Sequence, residues 1–329
     1  EEPDTPLVFI SKDINLRIRG AALGLEVKDY DVEQTDISDL YSGVFELAVS
    51  GDDLTALYDR GEIPIPAPPE GEDPYPANSF AVVTSRENPQ ASALARIRPD
   101  GGILQLLRNR ANTVWGIKPR NKEQRFALDL LLDDQVRLVT LVGRAGTGKT
   151  LLALAAGLEK VAEEQAYQRL LVSRPVFPLG RDIGYLPGSV EEKLRPWMQP
   201  VHDNLELLLG IAAGSKGGRT TQELFDLDLV QIEPLTYIRG RSIPRQFILV
   251  DEAQNLTPHE VKTIVTRVGD GTKIVLTGDP YQIDNPYVDS TNNGLVHVVN
   301  RFRGETIAGH VTLSRGERSD LAERAAILL

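Results

Sequence analysis

Residues 143–150 read Gly143-Arg144-Ala145-Gly146-Thr147-Gly148-Lys149-Thr150. They complete GxxxxGK[ST], a loop whose backbone N–H groups cradle nucleotide phosphates. The flanks suit that chemistry. Arg137–Val142 (RLVTLV) is a short apolar run ending at the first glycine, as a buried parallel strand reads. Downstream, Leu151, Leu154, Ala155, Leu158, Val161 and Ala162 recur at helical spacing, so the loop passes from a strand into a helix. A helix N-terminus offers free N–H groups and the positive end of a dipole to a polyphosphate. Lys149 is then placed for the β and γ phosphates, and the Thr150 hydroxyl for Mg2+.

Working outward, Gln246–Val250 (QFILV) reads as a second buried strand that delivers Asp251 and Glu252 at its end. After a phosphate loop, an apolar run closed by acids is the magnesium-coordinating pattern. Asp251 lies near the metal, and Glu252 is placed to orient or deprotonate an attacking water. That carboxylate favours hydrolysis over phosphate transfer to a small molecule, which needs no activated water. Thr257-Pro258-His259-Glu260 combines a capping box with proline at the first helical position. Val261, Ile264, Val265 and Val268 give that helix one apolar face. A further strand, Thr272–Leu276 (TKIVL), leads to Gly278-Asp279-Pro280-Tyr281-Gln282, which reads either as a plain β-turn or as a site element carrying Gln282.

Composition narrows the class. The 329 residues carry a net charge of −11, no cysteine and four histidines. An acidic chain is not a general nucleic-acid coat, so such binding needs local patches. Disulfides and cysteine-ligated zinc are excluded, and histidine metal sites are disfavoured. No run approaches the roughly 18 apolar residues of a membrane span, and no signal peptide opens the chain. A soluble cytoplasmic protein without a membrane partner is expected.

From the start, Pro6–Ser11 (PLVFIS) reads as a strand, followed by Asp13 and a helical pattern through Ile14, Leu16, Ile18, Ala21 and Ala22. One strand and one helix close no core, so residues 1–37 are expected to be a fragment or to pack on the neighbouring unit. Asp13 also suits a helix cap. Residues 38–110 read as a small antiparallel β unit. Tyr58–Pro64 and Pro64–Pro76 read as turns and loop. Ser79–Thr84, Ala91–Ile97 and Ile103–Leu107 read as strands, with a hairpin turn at Asp100-Gly101. This unit serves as a connector, or binds nucleic acid as small barrels do. Lys118, Arg120, Lys122 and Arg125 crowd the helix start that carries Gln124. Arg239, Arg241 and Arg245 form a cationic patch suited to phosphates or to salt bridges with the many acids. Tyr185 and Trp197 suit base stacking or, for Trp197 especially, core packing.

Several stretches resemble known families. Asn121-Lys122-Glu123-Gln124 and Gly278-Asp279-Pro280-Tyr281-Gln282 are similar to helicase motifs. The resemblance implies that Gln124 reads an adenine edge and that Gln282 senses the γ-phosphate. ISKDINLRIRGAALGL resembles the late acidic motif of PIN-domain ribonucleases, with Asp13 at the metal-binding aspartate. The companion acids of that family have no counterpart here, so little intrinsic nuclease activity is expected. Arg174-Pro175, Gly184–Ser189, Pro234–Ser242, VDEAQN and LTGDPYQID together resemble the PhoH-like ATPases over most of residues 115–329. The whole is similar to a PIN-PhoH fusion with only part of the PIN domain. That resemblance implies ATP and Mg2+ as cofactors, and ATP-dependent RNA unwinding associated with ribonuclease activity.

The expected fold class is α/β: a single RecA-like P-loop NTPase domain at 111–329 with a parallel sheet. A β-rich connector at 38–110 and a PIN-like fragment at 1–37 precede it. Helicases complete their ATP site with a second such domain, so a homo-oligomer, a ring and possibly a hexamer, is expected here. His310–Leu313 reads as a last strand and 319–329 as a terminal helix, with Arg315 and Arg318 between them. In PhoH-like sequences the arginine of GERS, here Arg318, is the favoured catalytic cation, with Arg315 and Arg241 as alternatives. Two function classes stay open: an RNA-stimulated ATPase, and a nucleotide-binding switch without unwinding activity.

Overall fold

The computed structural model describes residues 8–11, 14–28, 40–69, 71, 73–100, 102–107, 113–175, 190–212, 220–238 and 242–316. By its contacts the chain divides into two units, Glu1–Asp36 and Ile37–Leu329. In the first, β1 (Val8–Ile10) pairs in parallel with β2 (Glu26–Lys28) after the intervening α1 (Ile14–Ala22). Gly20 lets the helix settle on the strands, since a Cβ there would lie 3.2 Å from Phe9 and Val27. Asp13 lies outside the described residues.

The second unit holds two sheets. The smaller contains β3 (Val44–Val49), β4 (Glu62–Pro64), β5 (Phe80–Ser85), β6 (Ser92–Ile97) and β7 (Ile103–Leu106), in the order β3-β5-β6-β7-β4. Two expectations are corrected here. The sheet is mixed, because β3 runs parallel to β5. Tyr58–Pro64, read as turns, contains the end of α2 (Gly51–Arg60), its left-handed cap Gly61 and the strand β4. Ser50 caps α2 by accepting from the Asp53 amide, and only Leu54 and Leu57 are buried. So short an apolar stripe is easily lost among acidic residues.

The larger sheet is wholly parallel. Its strands are β8 (Leu138–Gly143), β9 (Arg169–Ser173), β10 (Val230–Ile232), β11 (Gln246–Val250), β12 (Lys273–Gly278) and β13 (Ala308–Leu313). The order is β10-β9-β11-β12-β8-β13. The phosphate-loop strand β8 therefore sits between β12 and β13, with β12 separating it from β11, which is the RecA-like arrangement of a P-loop α/β fold. Side chains alternate between faces along each strand. Val139, Leu141, Phe247, Leu249 and Val275 join one apolar core with α3 (Lys122–Leu132), α4 (Lys149–Leu158), α5 (Val190–Ala212) and α6 (Thr221–Asp226). Leu138, Val142, Ile248, Val250, Ile274 and Leu276 join the other with α7 (Leu235–Ile238), α8 (Pro258–Val265) and α9 (Gly294–Arg301). Helices on both faces explain why these strands read as unbroken apolar runs. In α5, Trp197 is half-buried and its neighbour Met198 is the buried side chain.

The two sheets meet at α3 and β13. Phe80 stacks on Phe126 with ring centroids 4.5 Å apart. Arg96 of β6 donates to Asp129 and Asp133 at 2.9 and 2.8 Å, and to Asn78 at 2.6 Å. Gly43 has φ +79, and a Cβ on it would lie 2.0 Å from the His310 carbonyl oxygen. Only glycine fits there. Among the described residues, no helix is long and apolar enough to cross a membrane.

Candidate nucleotide site

The loop between β8 and α4 owes its shape to its glycines. Gly146 and Gly148 have φ of +85 and +90, where a side chain is strained. A Cβ on Gly143 would lie 2.5 Å from the Leu313 carbonyl oxygen, so glycine also lets β13 run close beside the loop. Lys149 opens α4 and folds back over the loop. Its Nζ donates to the carbonyls of Gly143 and Arg144 at 2.6 and 3.0 Å. Thr147 is buried, and its Oγ1 donates to the Arg144 carbonyl at 2.9 Å. Gln124 is buried beside the loop. Its Oε1 accepts from the Arg120 amide at 2.8 Å, and its Nε2 donates to the Thr147 carbonyl at 3.1 Å. The same residue's amide is capped by Asn121 at 2.9 Å, so Gln124 ties the start of α3 to the phosphate loop.

The acidic side comes from β11 and β12. Asp251 follows β11 directly, and its Oδ1 accepts from the Thr150 hydroxyl at 2.8 Å and the Thr277 hydroxyl at 2.6 Å. Glu252 has φ +55, a left-handed conformation that turns the chain away from the strand at the carboxylate. Its Oε2 accepts from Gln254 Nε2 at 2.6 Å, and its Oε1 lies 3.3 Å from Arg174 Nη2. Burial, reinforced by the charge of Asp251, raises the Glu252 pKa above the usual carboxylate value.

Gln254 is fully buried and ties the segment after β11 to the turn after β12. Beyond Glu252, its Nε2 reaches the Gln282 carbonyl at 2.8 Å, and its Oε1 accepts from the Asp279 amide at 3.1 Å. Asp279 in turn accepts from the Ala145 amide of the phosphate loop at 2.9 Å. The Gln282 side chain is exposed at the edge of the site. The Arg144 guanidinium stands 5.4 Å from the centroid of the Tyr281 ring.

Of these groups, Gln124, Lys149, Thr150, Asp251, Glu252 and Asp279 line a cavity of about 860 Å³. Its lining combines polar groups, Lys149, Thr150, Asp251, Glu252 and Asp279, with apolar ones, Ile117, Pro119, Leu207 and Ile211. Exposed Lys118 and Arg120 stand at its border. A polyphosphate suits the first set and a flat apolar ring the second. A threonine hydroxyl and one carboxylate are hard oxygen donors of the kind Mg2+ takes together with substrate phosphates. Among the described residues, no cluster of three or more His, Cys, Asp or Glu offers a metal cage of protein groups alone.

The family model for PhoH-like protein matches residues 116–327, which span the loop, both acidic strands and the cavity. The chain belongs to the PhoH-like protein family. Protein PhoH2 of Bacillus subtilis (strain 168) is 48% identical over 330 residues, covering 100% of this chain and 74% of that protein. Protein PhoH2 of Mycolicibacterium smegmatis is 38% identical over 317 residues, covering 96% of this chain and 68% of that protein. Likeness to solved structures is weak. The Candida albicans Pif1 helicase gives a TM-score of 0.34 at 15% identity, covering 64% of this chain and 43% of that one.

Within this PhoH-like site, Gln124, the loop residues 143–150, Asp251, Glu252 and Gln282 lie around one cavity or directly beside it. Arg315 is exposed just past β13, whose Leu313 is in register with Gly143. Arg318, Arg239, Arg241, Tyr185 and the helix expected at 319–329 lie outside the described residues. Arg245 precedes β11 and so lies at the opposite end of the sheet from the phosphate loop. Thr277, Asp279, Gln254 and Arg174 are site groups to which the sequence alone assigns no chemical role. Each is visible there only as part of a strand end, a turn or a family signature.

Proposed function

We propose that this PhoH-like chain binds ATP with Mg2+ and hydrolyses it, with RNA as the partner that stimulates turnover. The observation that carries the reading is the Thr150–Asp251 hydrogen bond at 2.8 Å, with Glu252 as the next residue and Lys149 on the same cavity wall. Thr150 and Asp251 would hold the metal, which when bound neutralises charge on the phosphates. Lys149 exchanges its two loop carbonyls for phosphate oxygens. Glu252 accepts a proton from the attacking water. The apolar part of the cavity lining takes the nucleobase. RNA as partner, unwinding, and association with ribonuclease activity rest on the resemblance to PIN-PhoH fusion proteins, carried by ISKDINLRIRGAALGL together with VDEAQN and LTGDPYQID. A homo-oligomeric ring, with Arg318 serving the ATP site from a neighbouring subunit, belongs to the same reading.

The test is ATP hydrolysis with and without single-stranded RNA, paired with a duplex-unwinding assay. Stimulated turnover supports the reading. ATP binding with neither stimulation nor unwinding would leave a nucleotide-dependent switch instead.

A further inference from the structure

We propose that Arg174 is a switch cation, paired with Glu252 in the nucleotide-free protein and transferred to the terminal phosphate when a nucleoside triphosphate binds. The proposal rests on the nucleotide-hydrolase reading and adds a regulated step to it. Its basis is the edge of the sheet. β9 and β11 lie side by side in register, with Ser173 opposite Val250. The residues immediately beyond, Arg174 and Asp251-Glu252, therefore emerge together, and the Asp251 amide donates to the Ser173 carbonyl at 2.9 Å. Arg174 borders the same cavity as Lys149 and Thr150. Its Nη2 lies 3.3 Å from Glu252 Oε1, while the other oxygen of that carboxylate is held by Gln254 at 2.6 Å.

Both oxygens of the proposed base are thus engaged, one by a cation, which opposes taking a proton from water. The Arg174 and Glu252 side chains retain 22% and 27% exposure, so the pair is neither locked in the core nor fully hydrated. A terminal phosphate carries more charge than one carboxylate and offers three acceptor oxygens to a planar guanidinium. It therefore outcompetes Glu252 for Arg174. A diphosphate lacks the γ-phosphoryl group, its β-phosphate stays in the phosphate loop with Lys149, and the pair is left intact. Glu252 is then released only when there is a phosphoryl group to attack.

The experiment measures binding of ADP and of a non-hydrolysable ATP analogue, both with Mg2+, to the full chain. Wild type, Arg174→Gln, Glu252→Gln and the double variant are compared. Arg174→Gln is expected to weaken the analogue by about tenfold or more, the weight of a charge-assisted hydrogen bond, and to leave ADP unchanged. Glu252→Gln is expected to tighten the analogue while Arg174 is present, and that gain is expected to vanish in the double variant. Equal loss of both nucleotides in Arg174→Gln, or the same gain from Glu252→Gln with and without Arg174, overturns the proposal. If Arg174→Gln does not fold, Arg174→Lys carries the same comparison with a smaller expected loss, because it keeps the charge without the fork. A wild-type chain that binds neither nucleotide would instead defeat the underlying nucleotide reading.

Discussion

Asp251 and Glu252 are adjacent in the chain but meet different surroundings, and the roles proposed for them divide accordingly. Asp251 is fixed by two threonine hydroxyls, whereas Glu252 turns into the cavity on a left-handed backbone. Glu252→Gln should therefore retain ATP binding and lose turnover by about 100-fold or more, the usual weight of a general base. Lys149→Ala should lose binding itself. Paired binding and turnover measurements check this, and equal loss of ATP affinity in both variants would refute the division. His310 supplies a second prediction. It is buried in β13, with Nδ1 2.7 Å from the Thr140 hydroxyl and Nε2 3.0 Å from that of Thr312. Burial lowers its pKa to about 3. The unfolded chain then takes up a proton near pH 6.5 that the folded chain refuses until about pH 3. Stability is full above pH 6.5 and falls below it, by about 1.4 kcal/mol per pH unit from this group. In chemical denaturation between pH 7 and pH 4, His310→Gln should show a shallower decline than wild type. Parallel slopes would remove His310 from the acid response.

At the scale of elements, the turn after β12 does more than reverse the chain. Asp279 accepts from the phosphate loop, and Gln254 ties the same turn to Glu252. Gly278 makes this possible, because a Cβ there would lie 2.3 Å from Gln254 Oε1 and 2.7 Å from Leu295 Cδ2. Gly278→Ala must push Gln254 out of place. It should cost stability of about 1–3 kcal/mol, as overpacking does. It should also lower turnover more than ATP affinity, since the displaced group holds Glu252, the proposed base, and not Lys149. A variant with wild-type melting and turnover would show that the turn has slack. Helices are legible in the sequence where caps and faces agree. Thr257 and Glu260 form the expected capping box with Pro258 behind it, and Val261 and Ile264 are the buried face. α2 is not legible in this way, because two buried leucines in ten residues give little periodicity.

On the scale of the molecule, the smaller sheet is fastened to the nucleotide-binding sheet by Arg96. Its guanidinium serves two aspartates of the α3 region and Asn78, whose Nδ2 donates to the carbonyls of Thr306 and Ala308 at 2.8 and 2.9 Å. Arg96→Met should cost about 3 kcal/mol, because it leaves partly buried carboxylates without their cation. Calorimetry should show one transition for residues 37–329 in the wild type, and a lower or split transition in the variant. An unchanged melting profile would mean that the Phe80–Phe126 stack and the Asn78 hydrogen bonds hold the joint without Arg96. Oligomerisation is testable at the same scale. If Arg318 acts across an interface, Arg318→Ala should lower turnover by about 1000-fold with ATP binding spared. Mixing it with Lys149→Ala subunits should then restore part of the activity. A monodisperse, fully active monomer in light scattering would rule the arrangement out.

The sequence by itself determined the chemistry that is local. A glycine-rich loop between a strand and a helix, and a strand ending in two acids, each need only a few consecutive residues, so Lys149, Thr150, Asp251 and Glu252 could be named from spacing alone. Apolar runs too long and unbroken for a half-exposed strand already implied a sheet covered on both faces. The tertiary structure alone decided which groups hold these in place. Thr277, Asp279, Gln254 and Arg174 reach the site from separate strands and turns, and a hydrogen bond across 26 or 134 positions of sequence leaves no periodic trace. The parallel pairing of β3 with β5 was hidden for the same reason. Strand direction is set by where the chain re-enters the sheet, which depends on how α2 and β4 pack and not on the strand's own residues.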